Sequence, residues 1–199
     1  MSNKVFSRLL ILTVVSLPLF AQADAYQIGY VANLAVGFSN INITSAGGEG
    51  GFDPNGDICA NVYVFAEDQQ LIECCACRMT PNHLRTFSAT ELIANTLTPG
   101  VPLGITVGLV ATANPTGGGC DASHIDPATL APGMRAWGTT VHSAPGGGFA
   151  VTENHFLSAP LSAGELAKMT SFCGFIEANG SFFGICKTCS DGAAGATKQ

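Results

Sequence analysis

The chain has 199 residues, of which eight are basic and 14 acidic, and a formal net charge of −6. This acidic balance argues against nucleic acid and anionic membranes as partners. Only 11% of the residues are charged, against about 25% in typical proteins. Ser, Thr, Asn and Gly must therefore form much of the surface.

The N-terminus has the pattern of an export signal. Lys4 and Arg8 precede an apolar run, residues 9–20. Two small-x-small cleavage sites follow, at 21–23 and 23–25. The run is shorter than the roughly 20 residues that a membrane-spanning helix needs. The pattern therefore predicts cleavage and a mature chain with no membrane span.

Cleavage of this signal peptide, residues 1–23, near residues 23–25 leaves a secreted chain, periplasmic or extracellular, that begins at Asp24 or, with the second site, at Tyr26. If the cut precedes Asp24, Lys4 and Arg8 are lost, so the net charge falls by two from −6 to −8. Residues 24–190 have the length of one domain, and we expect a single β-rich domain. The composition of residues 191–199 predicts a flexible tail.

Short segments rich in β-formers, divided by Gly and Pro turns, follow the signal. They are residues 25–37, 38–44, 58–67, 69–75, 103–113, 134–143 and 149–158. The turn at Glu67-Asp68 predicts a hairpin in which residues 62–65 pair with 71–75. This spacing predicts a mainly β fold, an antiparallel β-sandwich or barrel-like fold.

One segment instead predicts a helix, from Ser162 to Ala178. Ser162 and Glu165 form a capping-box pattern, and Asn179-Gly180 would end the helix. Its apolar positions recur at helical spacing, which predicts that one stripe packs on the sheet. These positions are Leu166, Met169, Cys173 and Ile176. A ligand groove at Met169 and the nearby phenylalanines is the less favoured interpretation.

The eight cysteines form an even set in the exported part of the chain, which predicts a disulfide framework of up to four bonds. They are Cys59, Cys74, Cys75, Cys77, Cys120, Cys173, Cys186 and Cys189. A metal site at the 74–77 cluster with Cys186 and Cys189 is an alternative, and a redox C-x-x-C at 186–189 is another.

Adjacent cysteines argue against a single metal ion. On a strand, Cys74 and Cys75 face opposite sides of the sheet, which suits two separate disulfides. The 74–77 cluster should bond to at least one of Cys173, Cys186 and Cys189, because the helix must approach the sheet to bury its stripe. No histidine follows Cys189, which excludes covalent haem attachment there. We expect no cofactor.

The block from Cys59 to Cys77, CANVYVFAEDQQLIECCAC, is followed by SAPLSAGELA and a C-terminal cysteine cluster. In these features the chain resembles a set of exported bacterial proteins of uncharacterised function. The resemblance covers most of the mature chain and implies no established activity, fold or site.

No catalytic residues are predicted. His83, His124, His142 and His155 all lie outside metalloprotease and nucleophile-elbow signatures. Glu153 and His155 lie two apart on one strand face, where they could pair, although an exposed strand face is the favoured interpretation.

Two loops offer further polar clusters. Asp121, His124 and Asp126 share the loop after Cys120, which we interpret as a polar loop without a nucleophile. Asp53, Asn55 and Asp57 place three oxygen-bearing side chains in a short loop, a weak calcium pattern that lacks the rest of an EF-hand.

Three function hypotheses from different classes remain. The first is a secreted or cell-surface, non-enzymatic binding or structural protein with an extracellular ligand or protein partner. The second is a metal or thiol-redox protein that uses the cysteine cluster. The third is an extracellular hydrolase whose site is assembled from distant loops.

Overall fold

A computed structural model of the protein describes residues 24–32, 34, 38–46, 56–93, 100–114, 118–179, 186 and 189. Within these ranges, strands, a short 3-10 turn (Pro127–Thr129) and one α-helix follow one another in chain order. They are β1 (Tyr26–Ala32), β2 (Ser39–Ser45), β3 (Ile58–Phe65), β4 (Leu71–Met79), β5 (Leu84–Ser88), β6 (Gly104–Ala113), β7 (Met134–Ser143), β8 (Phe149–His155), β9 (Leu157–Ser158) and α1 (Ala163–Ala178).

The strands form two antiparallel sheets. One has five strands in the order β4-β3-β6-β1-β9, and the other has four in the order β5-β2-β7-β8. In the described part of the chain neither sheet closes on itself, so the fold is a sandwich and not a barrel. The predicted hairpin is confirmed, with Val62 opposite Cys75 and Tyr63 opposite Cys74.

Side-chain alternation divides the five-stranded sheet into two buried faces. On β3, Ile58, Ala60, Val62 and Val64 enter the core between the sheets. Tyr63 and Cys59 point to the opposite face and join a second cluster with the helix. Because both faces are covered, β3 is buried along nearly its whole length, as its two apolar faces require.

Helix α1 covers the outer face of the five-stranded sheet. It begins as predicted, because the Ser162 side chain accepts a hydrogen bond from the Glu165 N–H at 3.1 Å. The predicted apolar stripe is buried against the sheet, at Leu166, Met169, Cys173 and Ile176. In the described ranges, no helix is long and apolar enough to cross a membrane.

The segment predicted as one strand over 149–158 is two strands in different sheets. β8 ends at His155, and the Phe156 N–H then bonds to the Ala136 carbonyl at 3.0 Å while β9 pairs with β1. The Phe156 ring lies over Gly29, where a Cβ atom would be 2.0 Å from the ring. A large apolar side chain thus turns inward at the point where the chain changes sheet.

Strand β5 was not predicted. It has five residues, and only Phe87 among them is fully buried, while Leu84 is exposed. A period-2 pattern needs several alternating apolar residues, and this short edge strand has only one buried residue, so its sequence does not show the pattern.

Tyr63 links the sheet to the loop that follows Cys120. Its side chain is fully buried, and its hydroxyl donates to the Ala122 carbonyl at 2.6 Å. Burial, reinforced by the nearby Asp121 and Glu177 carboxylates, raises the pKa of Tyr63 above its ordinary value, so the hydroxyl stays protonated and remains a donor.

Tyr63→Phe is expected to lower the free energy of unfolding by about 1–3 kcal/mol, because the buried Ala122 carbonyl loses its donor. Urea denaturation measures this change. Tyr30→Phe is the control, since the Tyr30 side chain is 59% exposed, and its effect should stay within about 0.5 kcal/mol. Equal effects of the two substitutions would contradict a stabilising role for the Tyr63 hydroxyl.

Candidate functional site

The cysteines of β4 are bonded on both faces of the sheet. Cys74 bonds to Cys173 on α1, Cys75 to Cys186 and Cys77 to Cys189. The fourth disulfide, Cys59–Cys120, ties β3 to the loop on the helix side, and the four Cα–Cα distances lie between 5.0 and 5.8 Å. The prediction that the 74–77 cluster bonds to at least one of Cys173, Cys186 and Cys189 is confirmed, because each cysteine of the cluster bonds to one of these three.

The alternation predicted for the doublet is also observed. Cys75 and Cys77 lie in the core between the sheets together with Cys186 and Cys189, whereas Cys74 lies in the helix-side cluster. One short strand therefore connects the helix layer and the C-terminal cysteines to the same sheet.

The same sulfurs come close enough to resemble a metal site. The Sγ atoms of Cys75, Cys77 and Cys189 lie within 4.8 Å of one another, and so do those of Cys74 and Cys173 with a Glu177 oxygen. Every one of these cysteines is in a disulfide, and the described residues include no free cysteine. Disulfide sulfurs are not thiolates, which are the form that binds zinc.

The C-x-x-C motif is not a self-contained redox pair. Cys186 and Cys189 are bonded to β4 and not to each other, and both are buried, with 3% and 2% exposure. A working dithiol needs an accessible sulfur for exchange. The two cysteines of the motif therefore each form a structural bond to β4.

The loop after Cys120 carries the densest group of polar side chains. Asp121 accepts hydrogen bonds from the Ser123 N–H and hydroxyl at 2.8 and 2.6 Å, and His124 Nδ1 lies 3.0 Å from its other oxygen. Burial alone would raise the pKa of Asp121, but these hydrogen bonds and the His124 ring outweigh it and hold that pKa below its usual value. Glu177 of α1 adjoins the group, and its own burial raises its pKa.

Ser123 corrects the interpretation of this loop, because it does supply a hydroxyl beside a histidine. Its Oγ lies 2.7 Å from His124 Nδ1. In a Ser-His-Asp triad, however, the hydroxyl and the carboxylate contact opposite ring nitrogens. Here both contact Nδ1, and the Ser123 hydroxyl is itself bonded to Asp121, so the group stabilises a turn and lacks the geometry of a proton relay.

The remaining polar candidates have local roles. Asp126 caps the 3-10 turn by accepting from the Ala128 N–H at 2.9 Å. Glu153 and His155 share the exposed face of β8, and within the described residues no ion pair joins them. His142 Nε2 lies 3.0 Å from the Thr152 hydroxyl across the same hairpin.

The weak calcium pattern is only partly described. Asp53 and Asn55 lie outside the described residues. Asp57 is described, and one of its carboxylate oxygens accepts from Arg78 Nε at 2.8 Å and Nη2 at 2.5 Å. That carboxylate is thus already neutralised by a guanidinium.

Two shallow grooves lie on the surface. The first, of about 310 Å³, runs between the N-terminal half of α1 and the sheet, with Tyr26 and Phe65 beside Glu165 and Lys168. The second, of about 510 Å³, lies where β7 meets β9 and contains the Arg135–Asp24 ion pair, at 2.8 Å. The second groove is also lined by His155, one of the four histidines named in the sequence, and by Ser158, whose hydroxyl donates to Asp24 at 3.0 Å.

Strand β8 is a different kind of feature, because all seven of its residues are exposed. It lies at the end of the four-stranded sheet, and in the described part of the chain no strand pairs with its free side. Phe149 and Val151 remain 76% and 62% exposed. An edge strand of this kind can accept a further strand through its backbone.

Comparison with known proteins finds no matching family model, no matching curated protein and no matching solved structure.

Proposed function

We propose that this chain is an exported, non-enzymatic protein that binds another molecule or builds a structure outside the cytoplasm. The observation that carries the proposal is β8, an edge strand that no other described strand covers, on a framework held by four disulfides. Disulfides persist in oxidising compartments, which agrees with the export signal predicted for residues 1–23. An uncovered strand supplies a binding edge and needs no catalytic group.

The polar groups favour this proposal over a hydrolase. At Asp121, Ser123 and His124, both partners contact the same ring nitrogen. The second groove also brings Asp24, His155 and Ser158 together, but there the Ser158 hydroxyl donates to Asp24 at 3.0 Å and not to the histidine. A second candidate, a metal or thiol protein, is favoured by one observation: the Sγ atoms of Cys75 and Cys189 are only 3.6 Å apart, between two disulfides. Reduction of the two disulfides would leave four neighbouring thiols, which could bind a metal ion as thiolates after losing their protons.

Expression of the full chain in a bacterium with an oxidising periplasm tests the proposal. We expect the exported protein to begin at Asp24 or Tyr26 and, after denaturation without reductant, to take up no alkylating reagent. With reductant it should take up eight equivalents, one per cysteine. Intact mass spectrometry measures both results.

The matched control is the chain without residues 1–23, which should stay in the cytosol and react with the reagent directly. An exported protein that begins at Met1 would contradict the signal peptide. Free thiols or a bound metal in the exported protein would favour the second candidate instead.

A further inference from the structure

The backbone of β8 presents a regular row of hydrogen-bonding groups to solvent. At one end of the β7-β8 hairpin the Ala144 N–H bonds to the Gly148 carbonyl, and at the other the Phe156 N–H bonds to the Ala136 carbonyl. Antiparallel pairs alternate between bonded and non-bonded positions. With Ser143 opposite Phe149 in the register, the residues of β8 whose N–H and C=O groups point away from β7 are Phe149, Val151, Glu153 and His155.

The other three edges of the two described sheets are covered, short or charged, and so are less open to pairing with a further strand. Beside β4 lie Cys186 and Cys189, both disulfide-bonded to it, and the Cys186 N–H bonds to the Cys74 carbonyl at 3.4 Å. β9 has two residues, and β5 has five and carries Arg85. Covering, shortness and charge are the usual defences of an edge. β8 has seven residues without proline, lysine or arginine, and its register with β7 has no bulge.

We propose that β8 pairs with β8 of a second copy of this chain, antiparallel and about a two-fold axis at Thr152, so that two four-stranded sheets become one continuous sheet. The inference rests on the proposed function and names the partner for its binding edge. This register pairs all seven residues, and it places each of the four outward-facing residues opposite another outward-facing residue. About eight backbone hydrogen bonds would then form, two for each bonded pair.

The side chains of β8 fit a second copy of themselves. In this register Phe149 faces His155 of the second copy, and Val151 faces Glu153. The two Thr152 side chains lie directly opposite each other, a favourable cross-strand pair. The only acidic side chain of the strand, Glu153, lies directly opposite Val151 and not opposite a like charge. The two Glu153 side chains are diagonal neighbours, roughly 7–8 Å apart, so their repulsion is one that added salt screens.

The contact is small. One pair of strands buries less than the roughly 1,200–2,000 Å² of a standard stable interface. The dimer should therefore be weak and should depend on concentration, and it should strengthen with added salt because salt screens the repulsion between two acidic chains.

Cysteine substitution tests the register in the exported, oxidised protein. In Thr152→Cys the two new sulfurs belong to a directly opposed, non-bonded pair with Cα atoms about 4.5 Å apart, within disulfide reach. In Ala150→Cys, on the same strand face and also exposed, the two new cysteines would be four residues out of register, about 14 Å apart. We expect a cross-linked dimer from Thr152→Cys and none from Ala150→Cys on non-reducing electrophoresis.

Val151→Pro tests the backbone bonds without a new thiol. Residue 151 makes no N–H bond to β7 in this register, so proline removes only the outward donor. We expect loss of the dimer in sedimentation at concentrations where the unsubstituted protein associates, with an unchanged circular dichroism spectrum. If this variant fails to fold, the cysteine pair decides the question.

A protein that stays monomeric at every concentration, or that cross-links equally through residues 150 and 152, would overturn the inference. Neither result would affect the export and oxidised state that test the proposed function. Free thiols in the exported chain would contradict the proposed function without altering the dimer measurement.

Discussion

Complete reduction of the oxidised protein is expected to unfold it near room temperature, whereas a chelator should leave its melting temperature unchanged. The four disulfides join cysteines 61, 99, 111 and 112 residues apart. Each such bond contributes roughly 2–4 kcal/mol by restricting the unfolded chain. Their sum is on the order of the whole stability of a domain, about 5–15 kcal/mol. Thermal melts followed by circular dichroism, with a phosphine reductant or with EDTA, measure the difference.

The alternatives predict other outcomes. A structural metal would make the fold sensitive to the chelator under oxidising conditions, since metal-binding energy is then folding energy. A redox protein would keep one accessible pair and would retain its fold after that pair is reduced. Either outcome would contradict the structural role of the disulfides. The sulfurs of Cys75, Cys77 and Cys189 would then be the candidate functional site.

The sequence was most informative where a local rule decides the structure. The period-2 alternation of β3 and β4 predicts that neighbouring side chains lie on opposite faces, and it correctly separates Cys74 from Cys75. The Ser162 cap and the apolar stripe likewise predict α1. Both inferences depend on residues only a few positions apart.

What the sequence could not show depends on contacts between distant segments. The strand predicted over 149–158 breaks at Phe156 because its ring lies on Gly29, a residue more than a hundred positions earlier. The exact partner of each cysteine in the 74–77 cluster likewise follows from which chain segments lie beside β4.

The polar loop shows the same limit on a smaller scale. Ser123 sits between two residues that sequence analysis had singled out, and the Asp-x-Ser spacing was the available signal, since Asp side chains commonly accept the N–H two residues on. Only the three-dimensional arrangement shows that its hydroxyl contacts the same nitrogen of His124 as Asp121 does.

Joint replacement of Cys74 and Cys173 by alanine is expected to loosen α1 while the two sheets stay paired. In the described chain this disulfide is the covalent link between α1 and the sheet, and the helix is otherwise held by the side chains of Leu166, Met169 and Ile176. The loss should be about 2–4 kcal/mol. Hydrogen exchange should accelerate across Ala163–Ala178 before it accelerates in β3 and β6.

Joint replacement of Cys59 and Cys120 is the matched control, because it also removes one disulfide from the helix-side face. The bonded cysteines are 61 and 99 residues apart in the sequence. The stabilisation from closing loops of these two lengths differs by well under about 1 kcal/mol. The total loss should therefore be similar, but the faster exchange should lie in the loop after residue 120 and not in α1. If both variants lost protection throughout the sheets at once, helix and sandwich would unfold as one cooperative unit, and the helix would be part of the core and not a layer fastened onto it.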